Sequence, residues 1–97
     1  MNDLHEKSEY LFQYFQITNE QRELIACSKD ADYLHRLSMF CAIHERLTII
    51  FNDEESIKNW LHKNNRYFDD RSALSVILES KNGLLRVLQL LQNFGVV

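Results

Sequence analysis

The chain has 97 residues, of which 45% are hydrophobic and 26% charged, with two glycines and no proline. These values are those of a globular protein the size of one domain. The absence of proline and the scarcity of glycine argue against folds rich in β-turns. The net charge is −3, from eight acids and five bases in residues 1–51 and six of each in residues 52–97, so neither part has the basic excess of a nucleic-acid-binding surface.

Two helices are predicted before the middle of the chain. Apolar side chains recur at near-helical spacing from about Leu4 to Phe15, which predicts the first helix. A shorter helix is predicted from about Glu20 to Cys27. Thr18 or Asn19 can cap it, and a glutamine or glutamate follows at a distance suited to a capping box.

A long central helix is predicted from about Ala31 to Phe51, with Asp30 as its N-cap. Its apolar positions step alternately by four and three residues, which is typical of one continuous helical face. That face consists of Tyr33, Leu37, Phe40, His44, Leu47 and Phe51, widened by Leu34, Cys41 and Thr48, with Met39, Ile43 and Ile50 as a second apolar side. We predict that this helix is the spine of the domain and is enclosed at its C-terminal end.

The next helix is predicted to begin after Asn52 or Asp53, because carboxylates follow where a helix N-terminus favours negative charge. Its apolar residues Ile57, Trp60 and Leu61 have helical spacing and are expected to be buried together. With the elements on either side, this pattern predicts an all-α fold, a compact bundle of five to six helices around the long central helix.

The stretch from Lys63 to Asp70 is polar apart from Tyr67 and Phe68, and it is predicted to be a loop with an aromatic anchor. Ser72 is a suitable N-cap for a helix over residues 73–80. The following pair, Asn82-Gly83, predicts a break in the helical pattern, where glycine permits a positive φ.

The last helix is predicted from about Leu84 to Phe94, with Gly95 as the residue that ends it. Leucine and valine occupy most of its circumference. We expect the larger share of this apolar surface to be buried in the chain's own core. Any excess face would contact a partner or a second copy.

No group of residues has the pattern of a catalytic, metal or cofactor site. The histidines do not match a zinc-binding spacing, and the cysteines lack a C-x-x-C signature. His44 is interpreted as a hydrogen-bonded core histidine, and the adjacent Asp69 and Asp70 as solvated side chains. We expect no enzymatic activity, no metal and no cofactor.

The chain is expected to be cytoplasmic, with reduced thiols and no membrane partner. Residues 1–10 are too polar for the apolar segment of a signal peptide. No apolar run approaches the roughly 18 residues that a membrane-spanning helix needs.

An ordered set of short motifs covers about two-thirds of the chain. It comprises Arg36-Leu37, Leu47 and Phe51, Asp53-Glu54, Trp60-Leu61, Asn65, Arg71-Ser72-Ala73-Leu74, Gly83, Val87 and Leu91, and Gly95. In order and spacing this set resembles the toxin-binding domain of the Xre/MbcA/ParS antitoxin family. The sequence departs from the family at Asp70, where glycine is usual, and before the long helix. There, Ser28-Lys29-Asp30 leaves no room for the DNA-recognition helix that family members usually carry.

The resemblance implies a single helical domain over residues 1–97. Residues 1–51 would hold the N-terminal helices, the spine helix and a degenerate helix-turn-helix part, and residues 52–97 the toxin-binding part. The implied partner is a cognate RES-domain toxin, which resembles ADP-ribosyl transferases and consumes NAD⁺. Family antitoxins occlude the toxin's active site with their C-terminal region.

Carried over to this chain, the resemblance places the toxin-binding surface in the loop and in the tail. The expected residues are Asn65, Arg66, Arg71, Phe94, Gly95, Val96 and Val97. The guanidinium groups of Arg66 and Arg71 can donate paired hydrogen bonds to carboxylates or carbonyls. An intramolecular bridge from Arg71 to Asp69 or to a helix C-terminus is an equal alternative.

Two other functions are compatible with the sequence. One is a transcriptional regulator that binds DNA as an oligomer, although the absence of a basic recognition helix makes DNA binding doubtful. The other is a helical interaction module with a different protein partner. Whether the chain forms a homodimer or a hetero-oligomer is left open.

Overall fold

A computed structural model describes residues 3–79 and 82–94. Six α-helices lie in these ranges, namely α1 (Asp3–Tyr14), α2 (Asn19–Ile25), α3 (Tyr33–Ile50), α4 (Glu54–His62), α5 (Ala73–Glu79) and α6 (Gly83–Phe94). Between α4 and α5 lies an antiparallel hairpin of β1 (Asn64–Asn65) and β2 (Arg71–Ser72), with a 3-10 turn (Arg66–Phe68) in its loop. The predicted all-α bundle around a long central helix is confirmed. The hairpin is a feature that the sequence pattern did not predict.

Local capping signals determine where three helices begin. Thr18 Oγ1 accepts a hydrogen bond from Gln21 N–H at 3.1 Å and Thr18 N–H donates to Gln21 Oε1 at 3.0 Å, which completes a capping box at α2. Asp53 Oδ1 accepts from the backbone N–H three residues later at 2.7 Å. Ser72 Oγ does the same at 3.1 Å before α5. These three predicted caps are confirmed.

The start of α3 differs from the prediction. The helix begins at Tyr33, and Asp30 lies in the preceding turn, where its carbonyl accepts from Tyr33 N–H at 3.2 Å. Arg36 is only 5% exposed, and it donates through Nε to the Ile25 carbonyl at 2.5 Å and through Nη2 to the preceding carbonyl at 3.3 Å. This contact joins α3 to the end of α2. The prediction of Asp30 as the cap was wrong, since Asp32 is the residue before α3 and no side chain caps this helix.

The core is centred on α3 and α6, which pack along each other. Their buried apolar residues include Leu37, Phe40, Ile43 and Leu47 on α3, and Leu84, Val87, Leu88 and Leu91 on α6. Burying such a side chain stabilises the fold by roughly 1.5–3 kcal/mol relative to leaving it exposed. The apolar character predicted for the last helix therefore serves mainly the chain's own core.

Contacts at both ends of α3 show that α3 and α6 run in the same direction. Near its start, Arg36 shares a groove with Leu78 and Glu79, the last residues of α5. Near its end, Arg46 Nη2 donates to the Gln92 carbonyl at 3.4 Å. The C-terminal end of α6 therefore lies beside the C-terminal end of α3.

The predicted enclosure of the C-terminal end of α3 is wrong. Ile49 is 66% exposed and Ile50 is also exposed, as is Leu34 near the other end. Ile43, on the same predicted apolar side, is buried. Helical periodicity identifies apolar positions, but it does not say how many neighbouring helices cover them.

Gly83 begins α6, and neither it nor any other glycine in the described ranges has a positive φ. A Cβ atom at this position would lie 2.0 Å from the Val76 carbonyl oxygen and 2.9 Å from the Ile77 Cα. The break in the helical pattern is as predicted, and it does not use the positive φ that glycine permits. Glycine is needed here because the first turn of α6 contacts the backbone of α5.

Polar groups in and around the core are mostly paired. His44 Nε2 lies 3.2 Å from both carboxylate oxygens of Glu54, as expected of a hydrogen-bonded core histidine, while its Nδ1 is buried without a hydrogen-bond partner. Cys41 Sγ lies 3.4 Å from Ser8 Oγ, and Cys41 and Cys27 are both free thiols.

A surface ion pair connects α1 with α3. Lys7 Nζ donates to Glu45 Oε2 at 2.8 Å, and the two side chains are 41% and 65% exposed. This hydrogen bond raises the pKa of Lys7 and lowers the pKa of Glu45.

Two negative findings concern only the part of the chain that the structure describes. Across residues 3–79 and 82–94, no three histidine, cysteine or carboxylate side chains are grouped so as to hold a metal ion. Among the described helices, none combines the length and apolar character that crossing a bilayer requires.

Candidate interaction surface

The hairpin between α4 and α5 holds three of the predicted site residues. Asn65 in β1 pairs with Arg71 in β2, and Arg66 begins the 3-10 turn between them. Asn65 Oδ1 accepts a hydrogen bond from Tyr67 N–H at 2.9 Å, and the Asn65 carbonyl accepts from Asp70 N–H at 3.1 Å. The polar groups of Asn65 are thus directed at the loop's own backbone, and Asn65 shapes the loop.

A buried aromatic ring fixes this loop to the core. Phe68 is buried, and its ring centroid lies 6.3 Å from that of Trp60 on α4 in an edge-on arrangement. The Arg86 guanidinium of α6 lies 5.6 Å from the same ring. Phe68 is therefore held between α4 and α6, as an anchor residue is expected to be.

Tyr67 does not share that role, because it is 57% exposed, so Phe68 alone is the predicted aromatic anchor. A 3-10 helix has three residues per turn, so consecutive side chains point in directions about 120° apart. With Phe68 directed into the core, Tyr67 is directed away from it. Tyr67 is a surface residue that the sequence interpretation missed, and a signal was present, since only one of two adjacent aromatics in so short a turn can be the anchor.

The end of the loop has left-handed backbone at two aspartates. Asp69 has φ 58° and Asp70 has φ 64°, a region that favours glycine and that aspartate tolerates better than most residues. Asp70 is the position at which the resemblance predicts glycine. The chain therefore adopts a glycine-type backbone here without having a glycine.

The two arginines of the hairpin differ in their surroundings. Arg71 Nη1 donates to Glu79 Oε1 at 2.7 Å, and its Nη2 donates to the Ser75 carbonyl at 3.3 Å. The alternative of an intramolecular bridge is therefore confirmed, and its partners are Ser75 and Glu79 of α5 and not Asp69. Arg66 is exposed in the loop, and its carbonyl accepts from Asp69 N–H at 3.2 Å.

The predicted tail residues lie at or beyond the end of α6. Phe94 is the last residue of that helix. Its side chain and all of Gly95, Val96 and Val97 lie outside the described residues. Because Gln92 contacts Arg46, this end of α6 lies one helical turn from the exposed pair of isoleucines on α3.

Within the described residues, the hairpin and the end of α6 lie apart. The hairpin contacts α6 near its start, where Arg86 lies over Phe68. Gln92, at the other end of the helix, is six residues further along, which is about 9 Å at a rise of ~1.5 Å per residue. The candidate surface therefore consists of two separate parts, a hairpin tip near the start of α6 and a second region at its end.

A groove elsewhere on the molecule has a different character. It has a volume of about 280 Å³ between α2 and the end of α5, and its lining includes three carboxylates, on Glu23, Asp30 and Glu79. The one guanidinium in its lining, of Arg36, already binds backbone carbonyls. Such a lining is unfavourable for anionic ligands such as dinucleotides or nucleic-acid phosphates.

Comparison with known proteins agrees with the motif order. A family described as the antitoxin Xre/MbcA/ParS C-terminal toxin-binding domain matches residues 46–94, which run from the end of α3 through α6. The uncharacterized protein y4oB of Sinorhizobium fredii is 37% identical to this chain over 51 residues, which are 53% of this chain and 40% of that protein. The chain thus aligns with about two-fifths of the length of this relative. No solved structure matches the chain.

Proposed function

Because the chain belongs to the Xre/MbcA/ParS antitoxin family by its toxin-binding domain, we propose that it binds and inhibits a RES-domain toxin that consumes NAD⁺. The observation that carries this proposal is the family match over residues 46–94. That range contains the hairpin and α6, which hold or border every candidate site residue. Inhibition would follow from occlusion of the toxin's active site by the C-terminal region.

The surroundings of the α6 terminus support a role for the tail region. Ile49 and Ile50 expose two adjacent aliphatic side chains beside the end of α6. Exposed apolar side chains that lie together are typical of protein–protein contacts. In the proposed complex they bind the rim of the toxin's entrance, while residues 94–97 enter it.

The hairpin residues have unequal roles in the proposal. Arg66 is exposed and can donate to a carboxylate or a carbonyl of the toxin. Arg71 and Asn65 bind other parts of this chain, so we assign them the role of holding the hairpin in shape. Arg66 is then the loop arginine that contacts the toxin directly.

DNA binding is not proposed as a second function. The connection between α2 and α3, residues 26–32, consists of turns and bends and supplies no helix for the major groove. Residues 1–51 also carry a net charge of −3, from eight acids and five bases. Binding to DNA phosphates requires the opposite sign of charge.

The proposal is tested by co-expression with a RES-domain protein encoded next to this chain, followed by purification through a tag on this chain and an assay of NAD⁺ consumption. We expect a stoichiometric complex without NAD⁺ turnover, and recovery of turnover when this chain is removed. A variant lacking residues 94–97 should regain turnover within a complex that still forms. Failure to form a complex, or a complex with undiminished turnover, would contradict the proposal.

The isoleucine pair has a matched control on α2. Ile49→Ser should weaken toxin binding by about tenfold, because it removes apolar contact area from the interface. Leu24 is also exposed, at 58%, but lies outside the family match, so Leu24→Ser should leave binding unchanged. Equal effects of the two variants would exclude the α3 terminus from the interface.

A further inference from the structure

Tyr67 stands out among the aromatic residues of the toxin-binding domain. Within the described part of residues 46–94, it is the one aromatic side chain that is more than half exposed, at 57%. Trp60 and Phe51 are half-buried, and Phe68 is buried. A tyrosine at the surface presents a large apolar ring with a polar end, the type of side chain that often dominates binding energy at interfaces.

The backbone beneath Tyr67 is held in place by hydrogen bonds within the loop. Tyr67 N–H donates to Asn65 Oδ1 at 2.9 Å, and the Asn65 carbonyl accepts from Asp70 N–H at 3.1 Å. The next side chain, Phe68, is fixed between α4 and α6. A loop ordered before binding loses little conformational entropy when a partner binds it, which favours affinity.

A third set of contacts ties the base of the hairpin to α5. Arg71 in β2 donates to Glu79 Oε1 at 2.7 Å and to the Ser75 carbonyl at 3.3 Å. The hairpin is therefore attached to α4, α5 and α6 together. Its tip presents Tyr67 on a rigid base, and a ring with two side-chain torsions adds little flexibility of its own.

We infer that Tyr67 is the anchor by which the hairpin binds the toxin, at a place distinct from the active site that the tail occludes. The inference rests on the proposed function. The partner site is an apolar pocket that receives the ring and has a hydrogen-bonding group at its base for the phenol. A carboxylate or carbonyl at its rim accepts from Arg66, which is exposed in the same loop.

The separation of the hairpin from the end of α6 makes the inference testable. An anchor contributes to affinity, whereas an occluding segment contributes to inhibition within the complex. Tyr67→Ala should therefore raise the toxin Kd at least about 30-fold and still suppress NAD⁺ turnover fully at saturating concentration. Tyr67→Phe keeps the ring and should raise Kd by less than about tenfold.

Tyr10 provides a matched control for the Tyr67 variants. It is 58% exposed on α1, outside the family match, and stacks on Tyr14 with ring centroids 6.1 Å apart. Tyr10→Ala should change the Kd by less than about twofold. If Tyr67→Ala binds as tightly as Tyr10→Ala while the native chain inhibits the toxin, Tyr67 is not the toxin-binding anchor, and the proposed antitoxin function is retained. If the native chain does not bind the toxin, both proposals are wrong.

A measurement on the native complex covers the case in which Tyr67→Ala fails to fold. Hydroxyl-radical footprinting reports the solvent access of each tyrosine ring with and without toxin. We expect labelling of Tyr67 to fall several-fold in the complex while labelling of Tyr10 stays the same. Unchanged labelling of Tyr67 in a complex that inhibits the toxin would overturn the inference.

Discussion

The two junctions that flank α5 use glycine and aspartate in opposite ways. Before α5, Asp69 and Asp70 adopt left-handed backbone in an exposed loop, where the fold has a glycine-type conformation without glycine. After α5, Gly83 has no left-handed conformation, but the α5 backbone leaves no space for a side chain there. Unusual φ values are therefore tolerated at the surface, whereas close contact between two backbones excludes every side chain.

The largest effect that this comparison predicts is at Gly83. In Gly83→Ala the new Cβ would lie 2.0 Å from the Val76 carbonyl oxygen, so α6 must move away from α5. We expect the free energy of unfolding to fall by about 3 kcal/mol, with a decrease of roughly 10 °C or more in Tm, as followed by thermal circular dichroism.

A control for this variant lies two residues along the same helix. Leu85 is exposed, so Leu85→Ala should lower the free energy of unfolding by less than about 1 kcal/mol. If Gly83→Ala and Leu85→Ala melt at the same temperature, close backbone packing is not the reason for glycine at the start of α6.

A smaller effect, of the opposite sign, is predicted at Asp70. Asp70→Gly removes the Cβ that disfavours φ 64°, although glycine also makes the unfolded chain more flexible. We expect a net gain of about 0.5–1 kcal/mol in the free energy of unfolding, measured by urea denaturation.

The matched control is an aspartate at an ordinary backbone angle. Asp32 has φ −96° and its side chain makes no capping hydrogen bond at α3. Glycine at this position relieves no strain, so Asp32→Gly should be neutral or destabilising. A gain as large at Asp32 as at Asp70 would show that left-handed strain is not what the Asp70 substitution relieves.

The smallest effect is expected at a site remote from both junctions, which gives a reference for the other two. The pKa of Glu45 is lowered from its usual 4.5, chiefly by the hydrogen bond from Lys7. The pair therefore stabilises the fold above that value, and its contribution is lost as the pH falls through the lowered pKa. Because both groups are exposed, the contribution is under about 1 kcal/mol.

This pH dependence is measured by comparing the native chain with Glu45→Gln. The difference in Tm between them should be small at pH 7, and it should shrink in acid and in high salt. A difference that grows on acidification would contradict the assigned ion pair.

The sequence predicted contacts between residues that are close along the chain, but not contacts between residues that are far apart along it. The caps at Thr18, Asp53 and Ser72 were predicted because each involves residues three positions apart. The start of α3 was not, because no side-chain capping hydrogen bond marks it. The contact of Arg36 with the Ile25 carbonyl, which joins α3 to α2, was also missed because the two residues are eleven positions apart. A buried arginine on one helix that binds carbonyls at the end of the previous helix leaves no pattern in the local sequence.

The candidate surface was predicted only in outline, and for the same reason. The motif order identified the loop, but the antiparallel hairpin depends on Phe68 being held by Trp60 and Arg86, which lie 8 residues before and 18 residues after it in sequence. Until that anchor is known, the sequence cannot say that Tyr67 is the exposed ring. The exposure of Ile49 was missed likewise, since it depends on which helices cover α3.

The parallel packing of α6 on α3 also determines when the core can close during synthesis. Residues 80–94 follow α5 along the chain and take about 1–3 s to synthesise at roughly 5–20 residues per second. Until they emerge, the apolar face of α3 around Phe40 and Leu47 lacks its largest partner. We expect chains that stop before Gly83 to be recognised by chaperones and proteases, so that the amount of folded protein depends on completed translation.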